Sequence, residues 1–192
     1  MTNRLIRLPL LAAACMLAAL ILGACGGAKQ PTAHGEGEGA YIQAGPLIYQ
    51  VQMSRELNPA DVEDAEYLEG LSADEPAPAG DEEWFGVWLR VQNDTDEAHT
   101  SASEFKIVDT TGTEYEPIAL PANNPLAYQP TLIETDTFAP VQPDPESAAG
   151  TGVNNGEMLL FKLSTDVYAN RPIELEIVPP DGGEPSSVVL DL

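Results

Sequence analysis

Short runs in which apolar and polar residues alternate recur along the chain, and they constrain its fold more than any other feature. The clearest are 47–54 and 84–92, where apolar residues recur at every second position. Further runs lie at 105–109, 158–163, 173–178 and 188–192. Successive side chains of a strand point to opposite faces, so this period predicts half-buried strands. About seven short strands, separated by turn residues such as Asn93 and Gly112, predict an all-β fold, an antiparallel β-sandwich.

The N-terminal part of the chain has the pattern of a secretory leader. Arg4 and Arg7 precede an apolar run that ends at Leu22 and is followed by small residues. A basic start, a short apolar stretch and small residues before a cleavage point are typical of a signal peptide. The alternative is an uncleaved anchor helix. Pro9 interrupts that run, however, and a true span needs about 20 strongly apolar residues.

The end of the leader carries a more specific motif. Leu22, Gly23, Ala24 and Cys25 together resemble the lipobox of bacterial lipoproteins. In that family the cysteine sulfur receives a diacylglycerol, and cleavage then makes the cysteine the new N-terminus. The resemblance implies cleavage after Ala24 and lipidation of Cys25. Palmitate-like acyl chains at this position would hold the protein on the extracytoplasmic face of the cell membrane.

The leader accounts for both cysteines of the chain. Cys15 leaves with the leader and Cys25 is acylated, so the folded part has no disulfide, cysteine nucleophile or thiolate metal site. The glycine-rich stretch that follows Cys25 predicts a flexible tether. We therefore predict a signal peptide at 1–24, a lipidated cysteine and tether at 25–45, and the sandwich domain at 46–192.

Two long segments between the predicted strands lack regular alternation. The acidic segment 59–83 begins with a short predicted helix, for which Asp61 is the expected N-cap residue. The segment 117–156 holds seven prolines, and we predict a long proline-rich loop there. A connection of this length is usually functional or disordered. Because loops on a rigid sandwich commonly carry recognition, Tyr128 and Phe138 are candidates for contact with a partner.

Three stretches of the chain resemble a known family. Residues 84–94 resemble the long central strand and Asn-containing turn of an Ig-like extracellular domain of unknown function, which is common in bacterial surface lipoproteins and akin to the immunoprotective extracellular protein fold. Residues 103–117 are similar to its next hairpin, and 155–163 to the turn that opens its penultimate strands. The resemblance implies an Ig-like β-sandwich outside the membrane. It brings no catalytic residues, because the family has no agreed ones.

The charge of the chain excludes one class of function and suggests another. There are 31 acidic and 8 basic residues, and the formal net charge is −23. Without a basic face the chain does not bind nucleic acid through phosphate contacts. Asp94, Asp96 and Glu97 lie in one turn and are candidate ligands for Ca²⁺, which takes 6–8 oxygens from short loops. The competing interpretation is an acidic surface that keeps a secreted protein soluble.

Catalytic groups are scarce in the sequence. A serine hydrolase needs a base beside its nucleophile, and we predict His99 to be the only histidine of the folded domain. Abundant carboxylates leave a glycosidase possible in principle, yet no pair of them stands out. Copper binding would need clustered Met and His, whereas Met53 and Met158 have the pattern of core residues. The sequence therefore predicts no enzyme.

The predicted central strand carries two tryptophans on one face. Trp84 and Trp88 flank Gly86, opposite the face that carries Phe85 and Val87. They are either covered by other parts of the domain or form an exposed aromatic pair for binding. The first interpretation is favoured, because both faces of a sandwich strand are often partly covered.

The sequence as a whole predicts a membrane-anchored, extracytoplasmic, non-enzymatic binding or docking module. It would present the 117–156 loop to an envelope or extracellular protein, with the membrane bound through its lipid anchor. The alternative is a calcium-dependent ligand-binding domain that uses the acidic loops. No other cofactor is predicted.

Overall fold

β-Strands dominate the part of the chain that the structure, a computed structural model, describes: residues 30–140 and 156–192. The strands are β1 (His34–Gly35), β2 (Ile42–Ala44), β3 (Leu47–Leu57), β4 (Glu82–Asn93), β5 (His99–Thr100), β6 (Glu104–Val108), β7 (Glu114–Tyr115), β8 (Leu132–Ile133), β9 (Thr137–Ala139), β10 (Glu157–Ser164), β11 (Ile173–Val178) and β12 (Ser186–Leu190). The helices are α1 (Val62–Tyr67) and a 3-10 helix (Thr165–Tyr168). Asp61 caps α1 by accepting hydrogen bonds from the backbone of Glu63 and Asp64, as predicted.

Two sheets form a β-sandwich, which confirms the predicted fold class. One sheet has the order β1-β12-β11-β6-β7, and the other has the order β10-β4-β3-β2 with β9 also paired to β4. Strands β5 and β8 form a separate small pair. All of these pairings are antiparallel except that of β1 with β12. The main core comprises Ile42, Leu47, Tyr49, Val51, Phe85, Val87, Leu89, Val91, Phe105, Ile107, Leu159, Phe161, Leu163, Ile173, Leu175, Ile177, Val188 and Leu190, together with smaller or peripheral neighbours.

Strand β4 divides its side chains between the two faces as its alternation predicts. Phe85 and Val87 are in the main core, whereas Trp84 and Trp88 are in a second apolar cluster. Strand β4 lies between β3 and β10, so its backbone is paired on both sides. We call the side of this sheet that carries the tryptophans its outer face.

A β-bulge in β3 corrects one detail of the sequence analysis. The register against β4 shifts between Val51 and Met53, so an extra residue, Gln52, lies between the two paired stretches. Because one extra residue moves every later side chain to the opposite face, Met53 packs against the second cluster and not in the main core beside Val51.

The folded unit begins earlier than the sequence predicted. It starts at Pro31, and β1 and β2 both lie within 25–45, the range assigned to a tether. The backbone of Thr32 bonds to Tyr41 and Gln43, beside the outer edge of β2. The boundary at residue 46 was therefore wrong. The predicted leader and its motif at Leu22, Gly23, Ala24 and Cys25 lie outside the described residues.

The segment 117–140 is not a free loop either. Ile118 bridges to Leu160 and Ala127 to Met158, so the segment twice contacts the edge of β10. It then contributes β8 and β9 to the fold. Its prolines remove backbone donors and so limit the length of each paired stretch. Residues 141–155 of the predicted loop lie outside the described part of the chain.

Candidate functional site

The outer face of the β10-β4-β3-β2 sheet has two halves with different surroundings. Over one half lies a layer formed by residues 58–81 and 117–128, which we call the cover. The other half we call the platform. It is formed by Gln43, Ile48, Gln50, Gln52, Arg90, Gln92 and Phe138, of which Ile48 is buried and the others are half-buried. Both halves are candidates for contact with other molecules.

The cover encloses the second apolar cluster. The buried members are Leu57, Trp84, Trp88, Met158 and Leu160, and the cover adds Tyr67, Leu68, Leu71, Ile118 and Leu120. Trp88 is 0% exposed and Trp84 is 4% exposed, so the hypothesis of an exposed aromatic pair was wrong. A Cβ atom on Gly86 would lie 2.6 Å from the Trp88 ring, so glycine at this position is what lets the indole lie against the sheet.

An ion pair fastens the first part of the cover to the sheet. Arg55 of β3 donates to both carboxylate oxygens of Asp64 in α1, at 2.5 and 3.0 Å. The Asn58 backbone N–H also donates to Asp64, at 2.9 Å. The Arg55 hydrogen bonds are the main reason why the pKa of Asp64 is lowered. The Arg55 guanidinium also lies 5.3 Å from the centre of the Trp88 ring, so it links the helix to the cluster beneath.

Further polar contacts hold the rest of the cover. Lys162 of β10 pairs with Glu75 at 2.5 Å and lies over the Trp84 ring. The side-chain amide of Asn124 donates to the carbonyls of Tyr67 and Glu69, at 3.3 and 3.1 Å, which joins the two segments of the cover. These contacts make the cover a defined layer of the fold.

Arg90 is the central charge of the platform. Its guanidinium lies 3.9 Å from the centre of the Phe138 ring. Within residues 30–140 and 156–192 it forms no ion pair, and its buried Nε has no hydrogen-bond partner. Nε is the only nitrogen of the guanidinium that is buried in this way, so the Nη1 and Nη2 donors remain accessible to solvent.

Amide side chains surround Arg90. Gln52 donates to Gln50 at 2.7 Å, and Gln50 donates to the Gly39 carbonyl at 2.8 Å. Gln92 donates to Asp94, which lies at the rim. The platform itself has no Asp, Glu or Lys, although the chain has 31 acidic residues. Sequence analysis did not single out Arg90, although its alternation within β4 places it on the outer face.

The two predicted partner-binding aromatics have different environments. Tyr128 is only 8% exposed, packs edge-on against Phe105 and donates its hydroxyl hydrogen bond to the Ala102 carbonyl at 2.8 Å. Burial raises the pKa of Tyr128. As an exposed contact, Tyr128 was a wrong prediction, because its ring fills the core. Phe138 is half-buried beside Arg90, and its contact with a partner stays a prediction.

The predicted calcium ligands do not form a cluster. Asp94, Asp96 and Glu97 are exposed, and the Asp94 carboxylate accepts a hydrogen bond from Gln92 at 2.5 Å. In the described part of the chain, no group of three or more His, Cys, Asp or Glu side chains is arranged to hold a metal ion. Calcium binding therefore has no geometric support from these residues.

His34 belongs to the folded unit together with His99, which corrects the prediction that His99 is its only histidine. His34 Nδ1 is 2.8 Å from the hydroxyl of Ser187 on the neighbouring strand. The nearest carboxylates, Glu36 and Glu174, are 3.8 and 3.7 Å from the ring, and the Glu36 side chain is 95% exposed. A serine nucleophile needs a base that a third group orients, and this solvated arrangement does not orient one.

A small cavity of about 210 Å³ lies where the cover meets the edge of β10. Its lining residues are Ser103, Phe105, Pro117, Ile118, Ala119, Leu120, Ala127, Tyr128, Gln129, Pro130, Met158, Leu159 and Leu160. This lining has no histidine, carboxylate or lysine that could act as an acid or a base near neutral pH. The described residues also include no helix that is long and apolar enough to cross a membrane.

No family model matches the chain, and no curated protein matches it. Among solved structures, the chain is similar to a candidate lipoprotein (ycdA) from Bacillus subtilis subsp. subtilis str. 168, with a TM-score of 0.49 and 14% identity over 81% of this chain and 38% of that chain. The yjhA protein from Bacillus subtilis gives a TM-score of 0.49 and 9% identity over 81% and 99%. An uncharacterized β-sandwich protein from Clostridium difficile 630 gives 0.43 and 10% over 86% and 99%.

The chain thus spans little more than a third of the length of the ycdA lipoprotein. These likenesses are weak, so the description as a β-sandwich rests on the strand pairing of this chain.

Proposed function

We propose that this chain is a membrane-anchored, extracytoplasmic lipoprotein, and that its β-sandwich is a non-enzymatic docking module. The motif that ends at Cys25 supports the lipid anchor. The folded unit begins at Pro31, six residues further on, so a fully extended connection reaches only about 20 Å. The domain would therefore stay close to the membrane surface.

The observation that carries the docking role is the cover. It belongs to neither sheet and is built from two connections between strands, yet both are packed in place over the tryptophans. Loops positioned by a rigid scaffold are common sites of recognition. The outer side of the cover exposes Glu63, Glu66 and Glu69 beside Val62, which is 79% exposed. An apolar residue among exposed carboxylates suits a partner with a basic surface.

This proposal revises the role of the proline-rich segment. The part from 117 to 128 takes part in docking as half of the cover. Deleting 121–145 would not test the role, because the deletion removes Tyr128 and Ile133 from the main core. Substitutions on the exposed side of the cover are the suitable test.

The anchor is tested with the two cysteines of the chain. Intact-mass analysis of the protein from cells that produce it should find an N-terminal Cys25 with acyl chains. Cys25→Ala should lose the acyl mass and leave the membrane fraction, whereas Cys15→Ala should behave as the wild type. Acylation that survives in Cys25→Ala would contradict the proposed anchor.

Docking is tested with charge-matched variants. The lipidated wild type captures its partner from the membranes of the producing cell, and the partner is identified by mass spectrometry. Glu63→Gln/Glu66→Gln/Glu69→Gln should reduce this capture strongly. Asp96→Asn/Glu97→Gln/Glu134→Gln, which removes the same charge from exposed positions elsewhere, should leave it unchanged. Equal capture by the two variants would show that the cover is not the docking surface.

A further inference from the structure

The platform has no acidic residue, although the molecule as a whole is strongly acidic. Its seven residues include one cation and no carboxylate, and the nearest acid in hydrogen-bond contact is Asp94 at the rim. Elsewhere, the outer face of the other sheet carries Glu104, Glu174 and Glu176. A surface that bears phosphate groups would repel the acidic regions and would meet the least repulsion at the platform.

Arg90 also has unused binding capacity. Three of the other four cations in the described residues, Arg55, Lys106 and Lys162, pair with carboxylates. Arg90 pairs with none, and its guanidinium lies over the Phe138 ring, 3.9 Å from the ring centre. A guanidinium held in this way offers two Nη groups as a fork, which fits the oxygens of a phosphate.

The start of the folded unit lies at the edge of the sheet that carries the platform. Thr32 pairs beside Ile42 at the free edge of β2, and the next residue of that strand, Gln43, belongs to the platform. From Thr32 to Arg90 the path crosses β2, β3 and β4, which is about 15 Å at the usual strand spacing. The chain from Cys25 reaches this edge in seven residues.

From these three observations we infer that the platform faces the membrane and that Arg90 binds the phosphate groups of phospholipids there. The inference rests on the lipid anchor of the proposed function, but not on the docking role of the cover. The anchor keeps the domain within reach of the headgroups, repulsion of the acidic surfaces turns the platform toward them, and Arg90 supplies the specific contact. The outer face of the other sheet then points away from the bilayer.

The test locates the membrane with a photoreactive amino acid. Benzoylphenylalanine replaces either Gln52 on the platform or Glu104 on the outer face of the other sheet, in the mature chain acylated at Cys25. Each protein is reconstituted in vesicles of phosphatidylcholine and phosphatidylglycerol, irradiated and analysed for phospholipid adducts by mass spectrometry. The Gln52 reporter should give about fivefold more adduct than the Glu104 reporter, which is the population ratio expected from one cation near a lipid surface.

Variants of Arg90 show whether its contact with phospholipid, and not only the closeness of the platform to the membrane, causes the difference in adducts. Arg90→Gln should bring the adduct ratio close to one, whereas Arg90→Lys, which keeps the charge, should retain a preference for the platform. Glu63→Gln/Glu66→Gln/Glu69→Gln should leave the ratio unchanged, so a failure of the docking proposal does not affect this result. If natural acylation fails, coupling Cys25 to a maleimide-bearing phospholipid gives the same spacing.

Three results would overturn the inference. Equal adducts at Gln52 and Glu104 would show that the domain has no preferred face toward the lipid. An unchanged ratio in Arg90→Gln would remove Arg90 from the contact. In membranes of the producing cell, a Gln52 reporter that crosslinks to one protein in place of lipid would make the platform a protein-binding surface.

Discussion

The covered half and the platform share strands β3 and β4, but they differ in how far their outward side chains are buried. Trp88 and Arg90 are two residues apart on β4 and point the same way, yet Trp88 is fully buried and Arg90 is half-buried. The bulge at Gln52 contributes to this difference. Before it, β3 turns Ile48 and Gln50 outward, and after it β3 turns Met53 and Leu57 outward beneath the cover. If β3 kept a regular alternation through Gln52, without the bulge, polar Ser54 and Glu56 would face the cover.

The two halves of the outer face should therefore differ in what they contribute, one to the stability of the fold and the other to binding. The covered half buries large apolar side chains and satisfies its charges internally, so substitutions there should lower the free energy of unfolding. The platform has one buried apolar side chain, Ile48, and leaves Arg90 without a carboxylate partner, so substitutions of its polar residues should alter contacts with other molecules. The following predictions test this division.

The largest effect is expected for Trp88→Ala. The indole is completely buried, and its removal leaves a cavity beneath the cover, so the free energy of unfolding should fall by about 3–5 kcal/mol. Urea denaturation measures the change. Gln52→Ala on the platform is the control and should change it by less than about 0.5 kcal/mol. Similar losses in the two variants would contradict the division.

Gly86→Ala should destabilise the covered half by overpacking. The added methyl would lie 2.6 Å from the Trp88 ring and 2.9 Å from the Met158 sulfur. A loss of about 1–3 kcal/mol is expected by urea denaturation. If the clash is the cause, the same substitution should cost less in a Trp88→Phe background, so additive losses in the double variant would refute this explanation.

Asp64→Asn should loosen the cover in a pH-dependent way. The loss at neutral pH should be about 1–2 kcal/mol, since the Asp64 carboxylate is nearly buried but Arg55 is partly exposed. Because the folded pKa of Asp64 is lowered, its contribution is present above the unfolded pKa and disappears as the pH falls through the folded pKa.

The difference between wild type and Asp64→Asn should therefore shrink on acidification below about pH 4. Urea denaturation at a series of pH values measures it. A difference that stays constant down to pH 2 would show that the charge of Asp64 does not fasten the cover.

Arg90→Gln should have the smallest effect on stability. The substitution removes one stacking contact and one buried donor without a partner, so the change should be below about 1 kcal/mol. Arg55→Gln is the matched control, because it removes the same group from the covered half and should cost more in thermal unfolding. A larger loss in Arg90→Gln would place the platform among the elements that stabilise the fold.

Several features of the fold were predictable from local sequence. The alternation in β4 predicted which side chains enter the main core, and Asp61 predicted the start of α1. The candidate site was harder to predict from the sequence. Phe138 was singled out as a loop residue, but its contact with Arg90 depends on the pairing of β9 with β4, which joins segments far apart in the chain. Tyr128 was misplaced because a proline-rich segment gives no periodic signal that distinguishes a buried ring from an exposed one.

The sequence by itself determined the all-β class and the strands of the sandwich, because a period of two is a local property of extended backbone. It also contains the segment Leu22–Cys25 that resembles a lipobox, and this resemblance is a property of a linear segment. Tertiary structure decided the bulge in β3, the start of the folded unit at Pro31 and the covering of the tryptophans. These features depend on contacts between distant segments, such as Asn124 with Glu69 and Arg55 with Trp88. The energy of such contacts arises only when the sheet has formed, so no local pattern encodes them.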